Sequence, residues 1–158
     1  MMEPSVGILY AVMTVLSPML TQFDMDVVAE TDRDEIYCAA QNIYFESRGE
    51  PDIGQVAVAL VVLNRVNDGR CPSTICDVVW QDKQFSWTHD GKSDRIKLSN
   101  KIERHAWIKS VFYAVMALSE EDVTNGATHY HNTSVTPYWT DSMKQTAVIG
   151  NHIFYREE

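Results

Sequence analysis

Glu46 stands where a proton donor would be useful. Ile36, Ala39, Ala40 and Ile43 recur at three- and four-residue spacing, as one buried helical face does. Glu46 falls three residues after Ile43 and seven after Ala39, in register with that face, and Gly49 and Pro51 then stop the helix. A carboxyl brought from the apolar side of a helix to its broken end meets a cleft while its stem stays against hydrocarbon. Desolvation penalises the charged form, so such a group keeps its proton toward neutral pH, as a general acid must. A solvated glutamate at a frayed helix end is the competing reading, and the register with the apolar face brings the two level. Glu50 could be a second functional carboxylate or one half of a structural ion pair with Arg48 or Arg65.

A second concentration of chemistry-bearing residues lies in the last third: Thr128, His129, Tyr130, His131, Asn132 and Thr133, then Pro137, Tyr138 and Trp139. On a strand, His129 and His131 point to one face and could share a metal. No carboxylate or further histidine at matching spacing completes a ligand set, although His152 or Asp141 could approach in the fold. Hydrogen bonding along a groove is the better reading, and no metal is assigned. Phe85, Trp87, Tyr130, Tyr138 and Trp139 sit mostly in loop or strand-end sequence, where core packing is harder to arrange. Aromatic faces in a groove suit the apolar faces of sugar rings, while neighbouring amides and hydroxyls bind the ring hydroxyls. Some of the five, Trp139 among them, could be core; at least two are expected to face a ligand. Other chemistries find little support. Ser86 and Ser134 lack a glycine-flanked elbow, no cysteine-protease signature surrounds Cys71 or Cys76, and phosphate-loop and dinucleotide motifs are absent.

The elements that must position these groups are mainly helical. Residues 31–34 supply caps for a helix running to about residue 45. Residues 53–66 are almost all apolar, with Asn64 and Arg65 as the polar exceptions, and read as a buried central helix closed by Asn67-Asp68-Gly69. Thr74 and Asp77 form a capping pattern for a short helix to about Trp80. Residues 81–100 are expected to be irregular. Ser99 or Asn100 then caps a helix over 101–118, with Ile102, Ala106, Ile108, Phe112, Val115 and Met116 turned inward. Asn125-Gly126 marks a turn, residues 127–132 a short strand, and 146–149 with 152–155 a hairpin closed by Gly150-Asn151. The fold class is α+β, mostly helical, with a small antiparallel sheet in one domain.

Composition narrows the partners. Thirteen basic against twenty-two acidic residues give a formal charge of −9, and no stretch clusters Lys and Arg, so nucleic acid is not an expected partner. Hydrophobic content of 45% with five prolines and seven glycines opposes disorder. Of three cysteines, Cys38 reads as a small core residue. Cys71 and Cys76 could close one loop in an oxidising compartment, or stand as two ordinary thiols. Residues 4–23 carry no charge, enough for a membrane span or the centre of an export signal, although Glu3 and the lack of a preceding Lys or Arg oppose both. Residues 1–30 are read as an export signal or weak anchor, with membrane association through residues 6–23; a packed helix is the alternative.

Taken in order, four blocks resemble the cell wall hydrolase family of bacterial spore cortex-lytic enzymes and related phage endolysins. They are Asn42-Ile43-Tyr44-Phe45-Glu46-Ser47-Arg48-Gly49-Glu50; Gly54-Gln55-Val56-Ala57-Val58-Ala59 with Val62-Leu63-Asn64-Arg65-Val66; Gln84-Phe85-Ser86-Trp87; and Gly126-Ala127-Thr128-His129-Tyr130-His131-Asn132. The tail Ile149-Gly150-Asn151-His152-Ile153-Phe154-Tyr155 also fits. The resemblance, over about residues 34–156, implies a lysozyme-like fold and cleavage of the peptidoglycan glycan strand at the bacterial cell wall; the catalytic domain is read as residues 31–158, acting without a cofactor and expected to be a monomer. The family's catalytic glutamate corresponds to Glu46. Together with the groove argument, the candidate substrate-binding residues are Glu50, Gln84, Phe85, Ser86, Trp87, Thr128, His129, Tyr130, His131, Asn132 and Tyr138. The family is similar to lytic transglycosylases, in which one glutamate acts as acid and then base. A water-dependent muramidase with a second carboxylate is the runner-up, and a non-catalytic peptidoglycan-binding domain or a metal-dependent amidase on His129 and His131 are further alternatives. Ser47 stands where alanine is common. The separate peptidoglycan-binding domain of many spore enzymes has no counterpart here, which suits a phage lysis enzyme or a wall-remodelling hydrolase better.

Overall fold

The computed structural model describes residues 30–158, so the apolar segment over 6–23 lies outside the described residues. Helix α1 (Arg33–Ser47) starts where the Asp32 carboxylate accepts the Asp34 N–H at 2.7 Å, with Asp34 and Glu35 in the first turn facing the positive end of the helix dipole. Its last turn is closed by Ser47 Oγ donating to the Ile43 carbonyl and Arg48 Nη1 to the Tyr44 carbonyl. Pro51 precedes α2 (Asp52–Asn67), which is buried on nearly all sides from Gly54 to Val62. The short α3 (Ile75–Val79) is capped by Thr74, whose Oγ1 accepts the Asp77 N–H at 3.1 Å. A 3-10 turn at Ser86–Thr88 interrupts the loop before α4 (Lys101–Ala117), which Asn100 caps. The sheet follows: β1 (His129–Asn132), a second 3-10 turn (Tyr138–Ser142), β2 (Lys144–Ile149) and β3 (His152–Arg156), antiparallel in the order β1-β3-β2.

Two apolar clusters meet at α2. The larger joins α1, α3, α4 and the 85–87 loop around one side of it. In the smaller, Phe154 of β3 and Ala127 press on Ala57 and Val61 of α2, with Tyr130 and Ile149 alongside. Pairing of Tyr130 with Phe154 puts both on the sheet face that meets α2, while His129, paired with Tyr155, points the other way. The opposite face is covered by Trp139, whose ring lies 5.4–5.7 Å from those of His129, His131 and Tyr155.

Helix α4 turns inward most of the face expected, with Val115 buried and Ala106, Phe112 and Met116 packed on the core, but Ile102 and Ile108 face outward. Ile102 is 80% exposed and Ile108 is exposed as well, whereas Trp107, Ser110, Val111, Ala114 and Ala117 are buried. The largest ring sets the rotation: Trp107 packs edge-on to Tyr37 at 5.4 Å and to Tyr44 at 6.2 Å, and the small Ser110 and Ala114 follow on the same face.

The disulfide also differs from the Cys71–Cys76 loop that sequence proximity suggested. Cys38 bonds Cys76, with Cα atoms 5.2 Å apart, and Cys71 is a free, half-buried thiol. Glu35 explains the pairing. Its carboxylate accepts the backbone N–H groups of Ile75 and Cys76, docking the start of α3 against the α1 face that carries Cys38 one turn later. The bond therefore clamps α3 onto the helix that bears Glu46.

The β2–β3 turn is held from α2's side. Glu50 Oε2 accepts the Asn151 N–H at 3.2 Å, and Gly150 takes φ +57°, the positive value a two-residue hairpin of type II′ needs at its first turn position. A Cβ on Gly150 would lie 2.8 Å from Glu50 Oε2 and 3.2 Å from Pro51 Cδ.

Two outcomes follow. With the bonded cysteines at a sequence separation of 38, Cys76→Ser should destabilise the oxidised protein by about 3–4 kcal/mol in denaturant unfolding, and Cys71→Ser by less than about 0.5 kcal/mol. Equal effects would reject the pairing. Gly150→Ala combines a left-handed φ with a close contact and should cost about 1–3 kcal/mol in the same assay, with the hairpin as the site of loss in hydrogen exchange.

Candidate active site

Glu46 lies in the last turn of α1, half-buried, one helical turn beyond Asn42. The Tyr130 hydroxyl, brought in from β1 by the docking of the sheet on α2, donates to Glu46 Oε2 at 3.1 Å. Arg65, one of the two polar exceptions in α2, is buried beside them. Its Nε donates to the Thr128 carbonyl at 2.6 Å, its Nη1 to Gln84 Oε1 at 3.2 Å, and its guanidinium lies 5.2 Å from the Phe85 ring centre. The other exception, Asn64, ties down the segment leading into β1 through Asp122 Oδ2 and the Ala127 carbonyl, both at 2.9 Å. Three separate stretches of chain are thus fastened around one carboxyl: the end of α1, the 84–87 loop and the start of β1.

Burial is the largest influence on Glu46 and raises its pKa; the Tyr130 hydrogen bond and the Arg65 charge pull it back part of the way. Burial and the neighbouring Glu46 charge hold the Tyr130 hydroxyl far above its ordinary range, so it stays a donor. The sign for stability is fixed by these directions. The folded protein holds the Glu46 proton more tightly than the unfolded chain does. Stability from this group therefore falls as pH rises from the ordinary carboxylate value through the raised one, and above that the full cost of the buried charge is present.

The remaining candidates fall into distinct places. Glu50 contacts neither Arg48 nor Arg65; it is bound by the Asn151 N–H and by Asn151 Nδ2 at 3.3 Å. Phe85 and Trp87 stand in the wall beside α1 but are 2% and 5% exposed, so their rings support the wall rather than presenting a free face. The Trp87 indole N–H donates to Asn42 Oδ1 at 2.9 Å. Gln84 and Ser86 are exposed on the same loop. Thr128 Oγ1 lies 3.0 Å from His129 Nδ1, and burial, then the Arg65 charge, lower the His129 pKa, leaving the ring neutral at neutral pH. His131 commits both nitrogens: Nδ1 donates to the Asn132 carbonyl at 2.8 Å and Nε2 accepts from the Tyr155 hydroxyl at 3.1 Å. With no lone pair to spare, it is not arranged as a metal ligand with His129, and among the described residues no cluster of three or more His, Cys, Asp or Glu could hold a metal ion. Asn132 closes a local turn onto the Ser134 N–H, and Tyr138 is 92% exposed beside Trp139, on the sheet face away from Tyr130. Arg65 showed only as a polar residue in an apolar run, and that was the signal available for it.

Known proteins share this arrangement of elements. Residues 49–155 match the family described as Cell Wall Hydrolase, a stretch that begins just after Glu46. The spore cortex-lytic enzyme of Halalkalibacterium halodurans is 35% identical over 130 residues, covering 82% of this chain and 37% of that protein. The spore cortex-lytic enzyme of Bacillus cereus is 36% identical over 124 residues, 77% of this chain and 44% of that protein. The chain therefore spans less than half the length of these curated relatives. Among solved structures, the catalytic domain of the germination-specific lytic transglycosylase SleB from Bacillus anthracis superposes with a TM-score of 0.63 at 34% identity, over 80% of this chain and 98% of that one. The catalytic domain of Bacillus cereus SleB gives 0.62 at 33% identity, over 79% and 91%. Sequence and fold agree: this chain belongs to the cell wall hydrolase family.

Proposed function

We propose that this chain cleaves the glycan strand of peptidoglycan between N-acetylmuramic acid and N-acetylglucosamine as a lytic transglycosylase, with Glu46 as general acid and then base. The observation that carries the reading is a single carboxyl whose pKa is raised by burial and which is held by Tyr130 beside Arg65 at the open end of a helix. The description of the Bacillus anthracis relative as a lytic transglycosylase supports it, and so does its near-complete coverage by this chain.

In the first step Glu46 gives its proton to the glycosidic oxygen as the bond to the muramic acid anomeric carbon breaks, releasing the N-acetylglucosamine 4-hydroxyl. The resulting carboxylate gains from the Tyr130 hydroxyl and the Arg65 charge, both favouring the ionised form. In the second step the carboxylate removes the proton of the muramic acid 6-hydroxyl as that oxygen closes on the anomeric carbon. The product is a 1,6-anhydro ring, Glu46 is protonated again, and no water is consumed. An acid that must then act as base works best with opposing influences on its pKa, which is what burial set against Tyr130 and Arg65 supplies. A hydrolytic route would call on a second carboxylate at a set separation. Glu50, the nearest in sequence, is already engaged by Asn151, which favours the single-carboxylate route.

Glu46→Gln should keep the fold and lower release of soluble muropeptides by about 10²–10⁴-fold. Because it removes a buried charge, its unfolding midpoint at pH 7 should equal or exceed the parent's. Mass spectrometry of the fragments from the parent should show anhydro ends; reducing ends would mean hydrolysis, and parental activity in Glu46→Gln would reject the assignment. Tyr130→Phe removes a hydrogen bond to the ionised carboxylate. The pH at which activity is lost on the alkaline side should accordingly move upward, and a downward shift or none would contradict the role given to that hydroxyl.

A further inference from the structure

We propose that Trp80 is a platform for one sugar ring of the glycan strand, at a position beyond the bond that is cut. This inference extends the site proposed above and rests on that reading. Of the four tryptophans Trp80 alone is exposed, at 44%, against 5% for Trp87 and 3% for Trp107. Its ring stands edge-on to Trp87, centroids 5.1 Å apart at 70°, and Trp87 in turn stacks on Phe45 at 4.7 Å and 20°. Phe45 is the residue next to Glu46. The three rings therefore form one continuous run from the catalytic end of α1 outward, buried at the Trp87 step and open to solvent at Trp80.

The middle and the outer end of the run are tied to the same helix. Trp87 is held by its N–H on Asn42 Oδ1, on α1 itself. The Trp80 backbone N–H donates to the Cys76 carbonyl at 2.9 Å, and Cys76 is bonded to Cys38 of α1. A ring whose backbone and inner edge are already ordered loses little further entropy when a ligand settles on its free face. The ligand class follows from the surroundings. Asp77, Asp82 and Lys83, all exposed, lie close along the chain, so the open indole is a single ring rather than an apolar patch for lipid or a partner's core. The chain's charge of −9 also disfavours an anionic surface. A neutral ring with one face of C–H bonds and a rim of hydroxyls fits: the face stacks on the indole and the rim meets Gln81 and the solvated loop.

Binding of soluble, uncross-linked glycan strands from peptidoglycan to the full chain carrying Glu46→Gln, measured by calorimetry, tests the proposal. Adding Trp80→Ala should weaken binding about tenfold, and Trp80→Tyr, which keeps a ring against Trp87, should restore most of it; at the assay temperature both variants should remain fully folded. In the Glu46 background, Trp80→Ala should raise KM on long strands and leave kcat unchanged. Equal binding with and without Trp80, or a loss that tracks a lowered midpoint and is not rescued by tyrosine, overturns the platform while leaving the Glu46 reading intact. Parental turnover by Glu46→Gln, or no binding by it, overturns the Glu46 reading and the platform with it.

Discussion

The Tyr130 hydroxyl reaches Glu46 across the boundary between the sheet and the helical layer, and the rest of the site is arranged around that 3.1 Å bond. Tyr130 can make it only because β1 pairs with β3 in the register that puts Tyr130 and Phe154 on one face, and because Phe154 seats that face on Ala57 and Val61 of α2. A slip of one residue would turn Tyr130 to the Trp139 side and bring His129 or His131 toward α2 instead. The hairpin turn held by Glu50 and the Asn64 contacts to the segment before β1 guard against such a slip from opposite ends of the sheet. Apolar packing thus fixes a polar distance, and that hydrogen bond tempers the rise in proton affinity that burial gives Glu46.

Buried charge is concentrated where the chemistry would need it. Arg65 sits in an otherwise apolar stretch of α2, a placement that costs stability unless its donors are used. They are used on the Thr128 carbonyl and Gln84 Oε1, so the guanidinium staples β1 to the 84–87 loop while its charge reaches Glu46. Glu46 itself is destabilising when ionised in the folded protein, since burial outweighs both favourable neighbours. A fold selected for stability alone would place neither group there. Their joint presence is what the acid-then-base role proposed for Glu46 would call for.

Much of this was legible in the residues. The 3.6-residue rhythm of Ile36, Ala39, Ala40 and Ile43 placed Glu46 on the inner face, and the glycine and proline after it placed the break; α1 ends at Ser47 and α2 begins at Asp52. The hairpin was readable because Gly150-Asn151 is a local turn signal. Failures came where the answer depended on contacts distant in sequence. Cys38 and Cys76 pair because Glu35 docks α3 on α1, which no spacing rule encodes. Trp107, packed against Tyr37 and Tyr44, centres the buried face of α4 so that Ile102 and Ile108, counted in the apolar pattern, fall outside it. Loop aromatics were expected to be available to a ligand, yet Phe85 and Trp87 are covered, one by Arg65 and the other by Phe45. Loop sequence does not imply a surface position when the loop folds back over a helix end.

The disulfide links these readings. Glu46 needs α1 to end at a fixed point, and a helix end is ordinarily the first part of a helix to fray. Here α1 is braced along its length: by Cys38–Cys76 near its start, by the Trp87–Asn42 bond at its middle, and by the Ser47 and Arg48 bonds to its last carbonyls. The middle brace and the first are themselves joined through the Trp80–Trp87 contact. The 76–87 segment therefore acts as an outside splint on the helix that presents the carboxyl. Trp80, between the Cys76 and Trp87 attachments, is thereby held against α1 from both sides of the segment.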